Sequence, residues 1–221
     1  KRWENYDAIF TLQNQNEFIN FEFFKEDHFN VEALRNAMSE MLKVQDKIVM
    51  ILNFPNNPTG YSPLDSEIKN ITKMLKEFCE ANKKPVVILC DDAYEGFVYE
   101  EGRVKESIFY ELVNLHPSII PLKLDGSSKE MLMYGGRIAA ITLGLHSSWI
   151  SADEIPALCK EWDNKIEAII RSVISNSNQF VQQVLISMLS KGFDRLIANR
   201  QNIINVLGER YALCLEAIKE I

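Results

Sequence analysis

Pro85-Val-Val-Ile-Leu-Cys-Asp-Asp-Ala-Tyr94 is an unbroken apolar run that stops abruptly at two carboxylates. A short run rich in β-branched residues, bounded by polar ones, marks a strand buried on both faces, as in parallel sheets. Lys47-Ile-Val-Met-Ile-Leu52 has the same character and stops at Asn53 and Pro55. Residues 118–124 form a third such run, ending in Asp125-Gly126, and residues 137–143 a fourth. A helix is expected between the runs at 47–52 and 85–90. Ser62-Pro63-Leu-Asp65 opens it, with Ser62 as cap, Pro63 at the first helical position and Asp65 reaching back. Ile68, Ile71, Leu75 and Phe78 supply its buried stripe.

Upstream, residues 8–12 and 18–24 read as short strands. Asn30 then caps a helix whose apolar positions are Val31, Leu34, Met38, Met41 and Leu42. Downstream, helices are expected at about 153–173, 178–190 and from Asp194 to the end. Strands alternating with helices imply an α/β fold, a three-layer α/β/α sandwich around a mostly parallel, mixed sheet. Ligands in such sheets sit beyond the carboxyl ends of the strands. The polar clusters 53–60, 91–94 and 125–129 lie there. The link from Lys129 to Arg137 is too short for a parallel crossover. The strands on either side of it should be antiparallel neighbours, which brings Arg137 to the rim that carries Lys129.

The chain has 221 residues, 47% of them hydrophobic, enough for one sizeable core and the start of a second domain. A net charge of -7 and a pI near 5.1 offer no basic field to attract nucleic acid. No apolar run reaches 18 residues, so no membrane span is expected, and no signal-peptide pattern opens the chain. Cys79, Cys90, Cys159 and Cys214 have neither C-x-x-C nor metal-ligand spacing, and read as reduced thiols of a cytoplasmic protein. His28, His116 and His146 are scattered, and no metal site is expected. Both ends look cut: Lys1 begins the chain, and the last helix meets no stop signal.

Asn53-Phe-Pro-Asn-Asn-Pro-Thr-Gly60, then Asp91-Asp-Ala-Tyr94, then Lys129 with Arg137 eight residues later, resembles the signature of class I/II aminotransferases. These are fold-type-I enzymes that use pyridoxal 5'-phosphate. Trp3-Glu-Asn5-Tyr6 is similar to the aromatic segment that precedes these motifs in the family, and the resemblance runs from Trp3 to about Asn176. It implies that Lys129 holds the cofactor as a Schiff base and serves as general base and acid. Asp91 would keep the ring nitrogen protonated, its neighbour Asp92 facing away on the strand. Asn57 and Tyr94 would donate to the phenolic oxygen, Trp3 would stack on the ring and Arg137 would anchor the phosphate. Tyr134 also matches an active-site position.

Gly126 departs from the family, which has serine or threonine three residues before the lysine. Ser127, Ser128 or backbone amides would take over that phosphate contact. Arg171-Ser-Val-Ile-Ser175-Asn176 resembles a segment that crosses the family's dimer interface. Arg171 would bind a substrate's distal carboxylate there, or serve as a structural salt-bridge residue. The resemblance further implies a homodimer, amino-acid and 2-oxo-acid substrates, a cofactor-binding domain over 1–193, and a connecting helix over 194–221 leading to a small domain. A phosphate-binding loop is expected upstream of Lys1, and the arginine that grips the substrate α-carboxylate downstream of Ile221. The expected activity is amino-group transfer. The alternatives are another reaction on the same scaffold, such as C–S lyase chemistry, or a non-catalytic effector domain of a transcription regulator.

Overall fold

The computed structural model describes residues 1–12 and 17–219. The chain opens with a π-helical turn, Asp7–Leu12, where the pattern at 8–12 suggested a strand. The expected strand at 18–24 is reduced to its last residue. A small antiparallel hairpin pairs β1 (Phe24–Lys25) with β2 (His28–Phe29). Aromatic strand propensity expresses packing more than backbone preference. Here Phe21 and Phe23 stack at 6.3 Å, and Phe23 meets Phe29 edge-on at 5.1 Å, so the rings pack on the core without a ladder.

Helix α1 (Val31–Met41) is capped as expected, the Asn30 side chain accepting from Ala33 N at 3.0 Å, and buries Leu34 and Met38. Strand β3 (Ile48–Asn53) leads to helix α2 (Asp65–Asn82), which buries Ile68, Ile71, Leu75 and Phe78. The opening of α2 differs from the expected one. Leu64 is the cap residue, and Glu67 reaches back to accept from Leu64 N at 2.7 Å. Ser62 donates to Val104 O at 2.7 Å instead of capping the helix. Glu67 is buried and also accepts from Phe29 N at 2.7 Å. A carboxylate serving two amides at once displaces the hydroxyl cap.

Strand β4 (Val86–Asp91), the short helix α3 (Phe109–Leu112) and strand β5 (Ile119–Gly126) come next. β3, β4 and β5 are parallel, and their register sets Asn53, Asp91 and Leu124 side by side at the carboxyl end. After helix α4 (Ser127–Glu130) and a 3-10 turn (Tyr134–Gly136), strand β6 (Ala139–Leu143) completes the order β3-β4-β5-β6. Gly144 N donates to Pro121 O at 2.9 Å, and Ser127 N to Ile138 O at 3.0 Å. Partner numbers fall as β5 rises, the mark of antiparallel pairing, as the short link required. The strand begins two residues later than expected. Arg137 precedes it in a left-handed conformation, φ 54°. Helices α5 (Ile155–Val173), α6 (Gln179–Ser190) and α7 (Phe193–Lys219) end the described chain.

The result is an α/β fold on a mostly parallel, mixed sheet. Two compact units divide it: Lys1–Val98 with Gly102–Asp125 and Ile141–Ser151, and Tyr99–Glu101 with Gly126–Ala140 and Ala152–Ile221. The first holds the core, in which Ile48, Ile71, Leu75, Val86, Ile88, Leu112 and Ile119 are fully buried. Helices α5, α6 and α7 of the second bury no residue. Cys79 and Cys90 are buried free thiols, burial pushing Cys79 up to about 11, whereas Cys159 and Cys214 are exposed. Among the described residues, no helix is long and apolar enough to cross a membrane.

Candidate active site

The parallel register of β3 and β4 brings Asn53 and Asp91 together, and the buried Asn53 amide ties the loop after β3 to the end of β4. Asn53 Nδ2 donates to Asp91 O at 2.8 Å, and its Oδ1 accepts from Asn57 N at 2.8 Å. The loop carrying Asn57 is thereby pinned beside Asp91. Within the loop Asn56 N donates to Tyr61 O at 2.8 Å and Gly60 N to Asn56 O at 2.7 Å. Gly60 takes φ +72°, which a side chain would strain. Peptide bonds Phe54-Pro55 and Asn57-Pro58 are cis. Asn57 and Tyr94 are half-buried.

Asp91 is half-buried, with its carboxylate engaged from two sides. Oδ1 accepts from Ala93 N at 3.2 Å, and Oδ2 accepts a short bond from the Tyr6 hydroxyl. Tyr6 is 7% exposed, and burial, reinforced by the Asp91 bond and charge, holds its phenol well above the ordinary value. It is therefore a fixed donor. Tyr6 N donates to Trp3 O at 3.1 Å, and the two rings meet edge-on at 5.4 Å. Trp3 is 39% exposed, so it is no core aromatic. Asp92 turns the other way, as strand alternation requires: it is buried, with Lys123 Nζ at 3.5 Å from its Oδ2.

Tyr6 is a candidate site residue that the sequence motifs do not single out. Its signal is present, since it lies one helical turn beyond Trp3 in the same aromatic segment. Tyr6→Phe should keep the ring packing and remove one donor to a carboxylate, a loss of roughly 1.5–3 kcal/mol. In the full-length protein kcat/KM should fall about ten- to a hundredfold without a matching loss in thermal stability.

The second unit carries the other candidates. Ser127 is buried, and its Oγ donates to Ile138 O at 3.0 Å, a structural use of the hydroxyl. Ser128 is half-buried, its Oγ 3.4 Å from a guanidinium nitrogen of Arg137. The same nitrogen lies 3.4 Å from Tyr134 O. Arg137 is exposed, and Lys129 is half-buried with Nζ 5.9 Å from the centre of the Tyr134 ring. A side chain at Gly126 would meet nothing within 4 Å, so packing does not demand the glycine. Arg171, exposed in the last turn of α5, donates to Ser175 Oγ at 2.8 Å and forms no ion pair among the described residues.

The family profile for aminotransferase class I and II matches residues 2–217. The chain belongs to the class I and II aminotransferases. Among curated aminotransferases it is similar to the probable aspartate/prephenate aminotransferase of Rickettsia conorii, 27% identical over 139 residues, which are 62% of this chain and 31% of that protein. Among solved structures it is similar to an aminotransferase from Anaerococcus prevotii, with a TM-score of 0.82 and 27% identity, over 99% of this chain and 52% of that one. The aromatic-amino-acid aminotransferase of Burkholderia pseudomallei, covalently bound to pyridoxal phosphate, shares the fold: TM-score 0.63 and 21% identity, over 95% of this chain and 47% of that one. The chain thus spans about half the length, or less, of these relatives.

Aminotransferases of this family depend on pyridoxal phosphate, and the donor sets present fit that group. In the first unit, Asp91 offers a half-buried carboxylate of fixed orientation, suited to a pyridinium nitrogen. In the second, the Ser128 hydroxyl and Arg137 guanidinium suit phosphate oxygens, and the Lys129 amine suits an aldehyde.

Proposed function

We propose that this chain is the cofactor-binding part of a pyridoxal-phosphate-dependent aminotransferase, with Lys129 as the residue that holds the cofactor covalently. The observation that carries the reading is the Asp91 carboxylate at the end of β4, oriented by Tyr6 and Ala93 in a chain of this family. The bound cofactor supplies an electron sink for the bond broken at the substrate's Cα.

Asp91 keeps a positive charge on the ring nitrogen, and Tyr6 and the Ala93 amide keep its carboxylate aimed. Asn57 and Tyr94 donate to the phenolic oxygen, and the exposed indole of Trp3 covers a ring face. Ser128 and Arg137 grip the phosphate. Ser127 is the weaker candidate for that contact, because its hydroxyl already serves Ile138 O. Lys129 Nζ, once neutral, takes a proton from the substrate's Cα and returns it, so its amine must be the mobile base.

The substrates are an amino acid and a 2-oxo acid. Arg171, without a carboxylate partner among the described residues, suits the distal carboxylate of an acidic substrate, in keeping with the aspartate/prephenate relatives. The working protein is a cytoplasmic homodimer. Residues 1–193 belong to its cofactor-binding domain and 194–221 to a helix leading to a second domain.

The full-length protein incubated with pyridoxal phosphate should show a visible absorption band, and borohydride should fix the cofactor onto Lys129. Peptide mapping that finds the label on another lysine, with Lys129 unmodified, defeats the assignment.

A further inference from the structure

Lys123 stands where a core residue belongs. It lies beyond Ile119 and Pro121 on the buried face of β5, and its side chain is 7% exposed. An ammonium there is tolerated only if carboxylates surround it. Three do: Glu95 Oε2 at 2.8 Å, Asp92 Oδ2 at 3.5 Å and Asp125 Oδ1 in a shorter contact. One oxygen from each acid lies within 4.8 Å of the others, and Lys123 is their cation. Burial pulls the ammonium's pKa down, but the hydrogen bonds it donates to Asp125 and Glu95 carry it above the ordinary lysine value.

The acids come from two strand ends. Asp92 and Glu95 belong to the turn after β4, and Asp125 to the end of β5. Asp91, the last residue of β4, leads into that turn, and Tyr94 lies within it, so both stand next in sequence to residues that hold Lys123. The turn is also tied by Asp92 N to Leu124 O at 3.1 Å, Glu95 N to Asp92 O at 2.9 Å, Gly96 N to Lys105 O at 3.1 Å, Phe97 N to Tyr94 O at 3.0 Å and Ser107 N to Glu95 Oε1 at 2.9 Å. Without the ammonium, the three acids would lose the cation they share in a low-dielectric site. They would take up protons or move apart, and either change loosens the turn.

We propose that Lys123 is a positioning residue: its ammonium, shared by Asp92, Glu95 and Asp125, fixes the turn that presents Asp91 and Tyr94 and thereby sets the affinity for pyridoxal phosphate. This rests on the functional reading above. The side chain takes no part in the chemistry; it acts through the backbone of residues 91–96 and through the strand end that leads to Lys129.

The test uses the full-length protein as wild type, Lys123→Met and Glu95→Gln. Pyridoxal phosphate affinity is read from the visible spectrum, and amide exchange is followed residue by residue without cofactor. Lys123→Met should weaken the cofactor at least about tenfold, the cost of breaking a buried ion pair being no smaller than that factor. It should also speed exchange at 92–97 while β4 residues Val86 to Ile88 stay protected. Glu95→Gln should move both readings the same way, by less. Affinity and exchange unchanged in Lys123→Met overturn the proposal, as does exchange that rises equally along the whole chain. If Lys123→Met does not fold, Glu95→Gln decides, and wild-type values in both readings refute the role. A wild-type protein that binds no pyridoxal phosphate defeats the functional reading instead, while the local exchange contrast still judges Lys123 as the anchor of the turn.

Discussion

Asp91→Asn in the full-length protein should slow single-turnover amino-group transfer by about two to four powers of ten, because losing an ionic partner in a dry site costs roughly 3–5 kcal/mol. The amide keeps the size of the side chain: its oxygen can still accept from Ala93 N, and its NH2 can donate to the Tyr6 hydroxyl once that hydroxyl turns to accept, so the fold should survive and the thermal midpoint should barely move. Asp92→Asn is the control, one residue away. Burial, with Glu95 and Asp125 nearby, pushes the Asp92 carboxyl up to about 7. Near neutral pH much of it already carries a proton, and an amide resembles that form closely. Its rate loss should stay within about tenfold, since removing one net hydrogen bond costs on the order of 1 kcal/mol. Equal losses from the two substitutions would count against Asp91 as the partner of the ring nitrogen.

Lys129→Ala should be at least as damaging, because it removes both the covalent attachment and the proton carrier. General acid–base catalysis alone is worth about two to four powers of ten. Pyridoxal phosphate should still bind, held without a covalent bond, and borohydride should no longer fix it to the chain. Lys129→Arg should not rescue turnover. A guanidinium stays protonated at any working pH, so it can neither attack an aldehyde nor accept a proton. Retention of more than about a tenth of the wild-type rate by either variant would exclude Lys129 as the base, since that role alone is worth more.

The candidate residues are legible in unequal degree. Asp91, Tyr94 and Asn57 can be placed because they come after strands whose ends are written in the sequence: an apolar run meets a polar residue, and the chain must leave the core there. Arg137, expected to open a strand, sits in a left-handed turn before β6, because backbone sign changes of that kind leave no trace in hydrophobic periodicity. Ser127 and Ser128 look equivalent as letters, yet one hydroxyl is spent on Ile138 O and the other faces Arg137.

The amino-acid sequence by itself determined the parallel strands at Ile48–Asn53, Val86–Asp91 and Ile119–Gly126, the stripe of α2 and the cap at Asn30. All of these depend on burial and on contacts within four residues, which local spacing encodes. Only the tertiary structure decided the rest. It turned residues 8–12 into helix and gave the opening of α2 to Glu67, which also serves Phe29, 38 positions away. It joined Tyr6 to Asp91 across 85 positions and set Lys123 on Glu95 across 28. A polar side chain that is buried must find a partner, but its own neighbourhood in the chain does not say which. That choice is made by the register of the sheet, which brings distant strand ends within a hydrogen bond of each other.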